Sequence, residues 1–401
     1  MYRSPNNGGE PGKTWWARFL SGARRLHMTT KLKGMTWDHP RGLDSVVNSD
    51  DLLQERCGIS VNWDARSLLA FGDQHISEFY ADYDLMIIDH PHIPDAVHAQ
   101  AVIAFEDVAS REQLELLERT SVGQSHASYK YQGKHWALAI DTAAQVSAYR
   151  PDKADSSPVF WSDVFDLART GKLLWPHKPV DAFSTFATLM AQKGASLTAS
   201  KSYIDQSVAL EVLEFMVELS ALVPDFCASS NPIDIAERLS GGDEYSHGIC
   251  MYGYSNYSHK GFRKHRLVYE DVPSFDGQAS GSQLGGAGVA ISSKSKNVEA
   301  AATAAMLLSL PEIQATTYGS AGGQPGNLVA WKNGSLNDLT LNFYRNTLRT
   351  LERAWVRPRV LGWPDVQYQS SLVIHKALTS RQVNASVVSE IASMYQKYVK
   401  E

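Results

Sequence analysis

The sequence has few cysteines, and none are spaced like a metal site or a redox pair. Its three cysteines, Cys57, Cys227 and Cys250, lie far apart, and no Cys-x-x-Cys segment occurs. An odd number of widely spaced cysteines argues against a zinc ribbon, a redox pair and a disulfide framework. No HExxH segment is present, and the neighbouring His90 and His92 supply two ligands at most, too few for a structural zinc site. The sequence therefore predicts no metal and no cofactor.

Long apolar runs are also missing. No stretch approaches the roughly 20 apolar residues that span a bilayer. The apolar run at residues 15–20 is interrupted by Arg18 and is too short for a secretory signal. No lipobox is recognisable, because the first cysteine is Cys57. Export is thus not visibly encoded, and Met28 is an alternative start to Met1.

The first 33 residues differ in charge from the rest of the chain. They carry seven Lys or Arg and a single acid, Glu10, whereas the whole chain has a net charge of -5. Their Gly, Pro and Asn content disfavours a packed element. We predict a disordered basic extension over residues 1–30. An amphipathic anchor built on Trp15, Trp16, Phe19 and Leu20 is the alternative.

Signatures of nucleophilic catalysis and of phosphate binding are lacking as well. The segment 253–257 fails the GxSxG pattern at its last position, and the Gly-rich segment 285–288 lacks the strand-to-helix context of a phosphate loop. The body of the chain shows no basic stripe of the kind that binds nucleic acid. We therefore predict no catalytic residue and no nucleic-acid partner.

What the sequence does contain is an alternation of apolar strands and helical patterns. With 401 residues and 43% hydrophobic content, the chain exceeds what one core usually fills, so two lobes are expected. Strands are predicted at residues 32–37, 59–63 and 83–89, with helices at 44–57 and 67–80 between them. This rhythm favours an α/β fold with a mostly parallel sheet. Ligands of such sheets bind beyond the carboxyl ends of the strands.

Further elements are predicted along the rest of the chain. The strands are expected at residues 136–140, 146–149, 249–254, 267–272 and 285–291. The helices are expected at residues 111–120, 161–170, 207–223, 298–310, 341–352 and 387–398.

Polar clusters follow the first three strands. Because the carboxyl ends of parallel strands meet at one edge, we expect these side chains to surround one ligand. Tryptophan offers a flat face, and arginine offers a fork for carboxylate or phosphate. The alternative is that the clusters only cap helices. The members are Trp37, Asp38, His39 and Arg41, then Trp63 and Arg66, then Asp89 and His90.

An exposed arginine contributes little to stability, so loss of Arg41 or Arg66 is expected to weaken binding and leave the fold intact. The alternative is that both arginines bridge acids such as Asp38 and Asp64 and only shape the loops.

The second half of the chain supplies further candidate ligand residues. Tyr254, Asn256 and Tyr257 follow a strand, where tyrosine and asparagine suit a neutral polar ligand; aromatic packing is the alternative. Gly286 lies where the backbone can approach a ligand or the other lobe. Gln324 lies in a tight turn that is either structural or presented to the cleft.

The order of several segments resembles a known family. The chain is similar to bacterial extracellular solute-binding proteins of the sugar-binding type, family 1, over residues 32–370. The resemblance rests on GMTWDHPRG at 34–42, YDLMIIDHP at 83–91, WALAIDTAAQVSAYR at 136–150, GGAGVAIS at 285–292 and GGQPGNLVAW at 322–331.

This resemblance implies a two-lobed periplasmic-binding-protein-like fold of type II with the ligand cleft between the lobes. It implies hinge crossings near residues 140–143, near 269–273 and near 310–318, and Asp141 in the first of these is a further candidate ligand residue. Residues 31–140 plus 272–310 are expected to form the N-terminal lobe. Residues 141–271 plus 311–401 are expected to form the C-terminal lobe.

The implied function is capture of a small polar solute, a sugar, polyol or organic acid, for an ABC importer. The implied partners are the solute and the permease subunits, and the implied form is a periplasmic monomer. Because no signal is recognisable, the cytoplasm remains the alternative location. The alternative functions there are a ligand sensor and an enzyme on the same fold. In the enzyme, Asp38–His39, Asp89–His90 and Arg41 would serve as acids and bases.

Overall fold

Strands and helices alternate along most of the chain. The computed structural model describes residues 29–67 and 76–399. The strands of these ranges are β1 (Thr30–Trp37), β2 (Ile59–Arg66), β3 (Leu85–Ile88), β4 (Val102–Ile103), β5 (Lys130–Tyr131), β6 (Lys134–His135), β7 (Leu138–Tyr149), β8 (Leu173–Leu174), β9 (His247–Tyr252), β10 (Val268–Glu270) and β11 (Leu284–Ser292).

The helices cover both faces of the sheet and build most of the second half of the chain. They are α1 (Pro40–Val47), α2 (Asp50–Cys57), α3 (Ile93–His98), α4 (Arg111–Arg119), α5 (Trp161–Arg169), α6 (Pro179–Gln192), α7 (Gln206–Ser220), α8 (Pro232–Gly241), α9 (Val298–Leu308), α10 (Pro311–Ile313), α11 (Leu328–Trp331), α12 (Gly334–Leu339), α13 (Phe343–Glu352), α14 (Trp363–Ser380) and α15 (Ala385–Tyr398). None of the described helices is long and apolar enough to cross a membrane.

One sheet runs through the described part of the molecule. Its strand order is β2-β1-β3-β11-β7-β9-β8, and β4 and β10 pair with β11 and β7 beside this path. β1 is parallel to β2 and β3, as the βαβ pattern predicts. β11 is antiparallel to β3 and β7. The chain enters β11 from the second half of the molecule and runs opposite to β3. The expectation of a mostly parallel sheet is therefore wrong at the centre.

Two large apolar cores flank the middle of this sheet. The first contains Leu32, Val61 and Ile87 of β1, β2 and β3, covered by the alanine-rich α9. The second contains Phe183 of α6 and Trp363 of α14, among many other side chains of the second half. A third, smaller cluster around residues such as Met35 and Met86 covers the other face of β1 and β3.

Strands β7 and β11 carry the chain from one core to the other. In β7, Ile140 packs in the first core and Ala144 packs in the second. In β11, Leu284 packs in the second core and Ala287 packs in the first. At these two places the cores are therefore connected by continuous β-strands whose side chains pack in both cores, and not by loops.

The second of these crossings lies later in the chain than the resemblance implies. The side chains of Val272, Ala279 and Leu284 all belong to the second core. The chain thus changes core at about residues 285–286, and the expected crossing at 269–273 is wrong. The loop before β11 is held to the second core by Ser282, whose Oγ donates to the Gln145 carbonyl at 2.7 Å. The boundaries of the two lobes otherwise remain a prediction.

Most of the predicted elements are present, with shifted ends. The helix expected at 44–57 is two helices, because Ser49 separates α1 from α2. The strands expected at 136–140 and 146–149 are one continuous β7, all of whose residues are buried. The predicted extension of residues 1–30 lies outside the described residues as far as residue 28, and Thr30 already belongs to β1. The helix expected at 67–80 is described only from Ile76, where short 3-10 turns replace it.

Seven of the described helices had no predicted counterpart, and the three longest of them are α6, α8 and α14. In α6, every residue from Asp181 to Met190 is buried. A helix that is buried all round shows no polar face, so the 3.6-residue period that identifies surface helices is absent. This helix nevertheless borders the main cavity described below.

Gly286 in β11 offers a test of the crossing. Its φ of +132° is one that side-chain-bearing residues rarely adopt, and an added Cβ would lie 2.4 Å from the Asp141 carbonyl oxygen. We expect Gly286→Ala to lower the free energy of unfolding by about 2–4 kcal/mol. Gly171→Ala is the matched control, because Gly171 also has positive φ but open space around its Cβ, and about 1 kcal/mol is expected there. Urea denaturation measures both, and equal effects in the two variants would contradict a close approach at Gly286.

Candidate functional site

A cavity of about 510 Å³ lies where the two cores face each other. Its size is that of a pocket for a small organic molecule. Trp37 contributes from the first core, and Tyr254 contributes from the second. The other polar or aromatic residues that border it are Arg41, Asp89, His92, Asp141, Lys178, Asp181, Ser184, Asn231, Tyr252, Gln283, Arg357, Gln367 and Tyr368.

Arg41 is fixed in place by the turn between β1 and α1. The ring nitrogen Nδ1 of His39 accepts a hydrogen bond from the Arg41 backbone N–H at 3.1 Å and caps the helix, and Pro40 is its first residue. Proline at this position is preset for a helix start. The Arg41 side chain is thereby directed across the sheet toward Asp141 of β7.

Arg41 and Asp141 form a buried, two-bonded ion pair. Arg41 Nε donates to Asp141 Oδ2 at 2.8 Å and Nη2 donates to Oδ1 at 2.5 Å, while Nη1 donates to the Gly253 carbonyl at 3.0 Å. The guanidinium also lies 4.8 Å from the centre of the Tyr254 ring. Burial opposes the charge, but the Asp141 carboxylate outweighs it and raises the pKa of Arg41. The expectation that Arg41 is an exposed arginine is therefore wrong.

Asp89 and Arg357 form a second ion pair across the same cavity. Arg357 Nη2 lies 2.8 and 2.6 Å from the two carboxylate oxygens of Asp89, and the His90 backbone N–H donates to Asp89 at 2.8 Å. Burial disfavours the charge, yet Arg357 and His90 hold the pKa of Asp89 well below its usual range. The buried His90 itself has a pKa lowered to about 4, by burial and by Arg357, so it is neutral at pH 7.

A third polar group borders the cavity near the start of α6. Gln283 Nε2 donates to the Ser184 hydroxyl at 3.0 Å and to the Tyr252 hydroxyl at 2.9 Å. The Gln283 amide oxygen is buried and has no partner among the described residues. Asp181 lies one turn before Ser184 and is 9% exposed. Within the described residues its carboxylate receives no hydrogen bond and forms no ion pair, and burial raises its pKa to about 8.

The structure brings six of the predicted ligand residues to the cavity. They are Trp37, Arg41, Asp89, Asp141, Tyr254 and Gly286. Whether they contact a ligand stays a prediction. The other eight predicted residues do not border this cavity.

Four predicted ligand residues of the first half of the chain lie away from the cavity, and each is exposed to solvent or contacts neighbouring parts of the fold. Asp38 is exposed to solvent, and His39 serves as the helix cap. Trp63 lies flat against Gly34, where an added Cβ would be 2.4 Å from its ring. The guanidinium of Arg66 lies 3.8 Å from the centre of the Phe79 ring. β2 is the edge strand of the sheet, one strand further from the cavity than β1, so its carboxyl end does not reach the site.

The remaining such residues are buried beside the cavity. His90 packs behind Asp89, and Asn256 packs against Gly322. The Tyr257 hydroxyl donates to Glu237 at 2.7 Å. Gln324 connects two backbones, since its Oε1 accepts from the Ser255 N–H at 2.9 Å and its Nε2 donates to the Thr142 carbonyl at 3.2 Å. Among the described residues there is no group of three or more His, Cys, Asp or Glu that could hold a metal ion.

Asp181, Ser184, Gln283 and Arg357 are cavity residues that sequence reasoning missed. A signal was present for the first of them, because Lys178-Pro179 followed by Asp181 is a helix start with proline at its first position. Arg357 lies in an irregular segment between α13 and α14, where no period marks its direction. Only the packing of α14 against α6 brings that segment to the cavity.

The Arg41–Asp141 pair gives a stability prediction. Arg41→Met leaves the Asp141 carboxylate buried without a counter-charge, which is expected to cost about 3–5 kcal/mol. The double variant Arg41→Met/Asp141→Leu removes both charges and should recover most of that loss. Chemical denaturation of the wild type, Arg41→Met, Asp141→Leu and the double variant measures this difference. A double variant as unstable as the sum of its parts would contradict the buried pair.

Asp181 gives a prediction on the pH dependence of stability. Its pKa is about 8 in the folded protein, above the ordinary value, so between about pH 4 and 8 the folded state holds a proton that the unfolded state has lost. The free energy of unfolding should therefore fall as the pH rises through this range. Asp181→Asn removes that slope, and at pH 8.5 it should be the more stable protein by about 2 kcal/mol or more.

The control for this prediction is Asp338→Asn, which replaces an exposed acid. Melting curves at pH 5 and pH 8.5 compare the three proteins. Parallel profiles for the wild type and Asp181→Asn would show that Asp181 does not titrate in this manner.

The fold is shared with sugar-binding and polyol-binding proteins of known structure. No family model matches the chain. No curated protein sequence matches it either. Maltose-bound MalE3 of T. maritima is 18% identical to it, with 92% of this chain and 99% of that chain covered and a TM-score of 0.75.

Two further similar structures are ABC transporter solute-binding proteins. The one from Agrobacterium radiobacter K84, in complex with ribitol, is 16% identical, covers 92% of this chain and 99% of its own, and has a TM-score of 0.75. The one from Thermotoga lettingae TMO, bound with α-D-tagatose, is 17% identical with the same coverage and a TM-score of 0.73. The chain therefore has the α/β, two-lobed fold of the periplasmic binding proteins, as predicted from its sequence.

Proposed function

We propose that this protein captures a small polar solute in the 510 Å³ cavity by closure of its two lobes and delivers it to an ABC importer. The observation that carries the proposal is that the cavity is bordered by both cores. Trp37 and Asp89 approach it from the first core, and Tyr252, Tyr254 and Arg357 approach it from the second. A ligand held by both sides favours the closed arrangement over the open one, which is how hinge-bending binding proteins respond to their ligands.

The polar groups of the cavity support binding more than chemistry. The guanidiniums of Arg41 and Arg357 already form ion pairs with Asp141 and Asp89, so neither carboxylate is available as a general base. The acid–base residues expected for an enzyme do not all come together at the cavity. Asp38 is exposed, His39 caps α1 and His90 is buried behind Asp89. The similar structures contain maltose, ribitol and α-D-tagatose, which supports a sugar or polyol as the solute class.

The partners and the location belong to the same proposal. A monomer that closes on its solute presents a surface that permease subunits can distinguish from the open form. We place this step outside the cytoplasmic membrane, as for other proteins that feed importers.

A ligand screen by thermal shift tests this function. A solute present at 100 times its dissociation constant should stabilise the protein by about 2.7 kcal/mol. The radius of gyration measured by X-ray scattering should fall at the same time, because the lobes close. The solute recovered afterwards should be chemically unchanged. A converted solute would reject the binding role, and a complete screen of sugars, polyols and organic acids without any shift would reject the proposed site.

A variant pair localises the binding. Tyr368 is 42% exposed at the rim of the cavity, and Phe160 is 44% exposed and does not border it. Tyr368→Ala should weaken solute binding about 3-fold to 10-fold through lost stacking, whereas Phe160→Ala should leave it unchanged. Calorimetry of both variants measures the difference. Equal affinities in the two variants would place the ligand elsewhere.

A further inference from the structure

The carboxylates around the cavity are paired with arginines except at one position. Asp89 is held by Arg357 and Asp141 is held by Arg41, each through two close contacts. Asp181 also borders the cavity and is 9% exposed, but among the described residues no donor reaches its carboxylate. The cavity therefore contains one carboxyl group whose partner is not supplied by the described chain.

We propose that the solute carries a protonated amine, and that this ammonium group pairs with Asp181. The assignment rests on the proposed function, and it narrows the solute class from polar solutes in general to amino sugars, amino polyols or similar hydroxylated cations. Without a partner this carboxyl group keeps its proton at neutral pH, and an ammonium group supplies both the counter-charge and the hydrogen-bond donors that its ionised form lacks.

The neighbouring groups on the same wall also require donors. The Gln283 side chain is 1% exposed, and its amide nitrogen is used by Ser184 and Tyr252. Its amide oxygen is left without a partner within the described residues. Ser184 follows Asp181 by one turn of α6, so the free oxygen of Gln283 and the carboxylate of Asp181 belong to one wall. A ligand group with several N–H donors matches a wall with an excess of acceptors.

An anionic solute fits this cavity poorly. Each guanidinium already binds a carboxylate with two contacts, and among the described residues only Nε of Arg357 is left without a partner, so a carboxylate or phosphate of the ligand would compete with Asp89 or Asp141 for most of these donors. A displaced aspartate would remain buried without its counter-charge. Lys178, three residues before Asp181, is exposed to solvent and forms no ion pair with it. Of the solute classes considered from the sequence, organic acids are the one that these charges exclude.

The test uses solutes that differ only in one group. One series is glucamine, sorbitol and gluconate, and the other is glucosamine, glucose and glucuronate. Each is titrated at pH 7.5 into the wild type, Asp181→Asn and the exposed control Asp338→Asn. In at least one series, the amine should bind the wild type at least 10-fold more tightly than its neutral parent, and the acid should bind most weakly.

The variants separate pairing from general polarity. Asp181→Asn should weaken binding of the amine by at least 30-fold while changing the affinity of the neutral parent by less than 3-fold, and Asp338→Asn should match the wild type throughout. A neutral parent that binds as well as its amine, or an equal loss of both in Asp181→Asn, overturns the assignment but leaves the solute-binding function standing. If no member of either series and no solute of the wider screen binds, the proposed function and the assignment are both wrong.

Discussion

The contact between Arg41 and Asp141 is the interaction on which the arrangement of this molecule depends. Arg41 belongs to the first core, Asp141 lies in the strand that passes between the cores, and Gly253, whose carbonyl takes the third bond, follows β9 of the second. One guanidinium thus connects three parts of the fold. Because the side chains are buried, the pair is tolerable only when both charges are present, which ties the position of α1 to the crossing strand.

The same constraint gives the cavity its chemical character. Two buried ion pairs neutralise two of the three aspartates and both of the arginines at its border. Each pair joins one arginine to one aspartate, so each pair has almost no net charge. The net charge at its border then depends on Asp181 and on the solvent-exposed Lys178. Such a border would favour the ligand proposed above, one that supplies hydrogen-bond donors or a positive charge.

The crossing of the chain between cores is made by strands and not by flexible linkers. The twelve successive buried residues of β7 pair with β11 and then β10 along one edge and with β9 along the other. Closure of the proposed kind would therefore require small changes distributed over these paired strands. Gly286, which has a positive φ and packs closely against the Asp141 carbonyl, lies at the centre of this region. The ion pair at the border of the cavity and the crossing are thus in contact, so the proposed ligand site adjoins the strands that connect the two cores.

The sequence by itself determined the fold class and the positions of its first strands. The strand patterns of β1 and β3 and the amphipathic pattern of helices such as α4 involve residues close together in the sequence, so they can be recognised without the tertiary structure. Tertiary structure decided the site. Strand order placed Trp63 and Arg66 at the edge of the sheet, away from the cavity, although they end a strand just as Trp37 does. Burial on all sides removed the period of α6 and left only the proline at its start as a signal for Asp181. An irregular segment brought in Arg357 from 268 residues beyond its partner Asp89. Pairing of charges is a property of distance in space, and distance in space is what a linear pattern of residues does not contain.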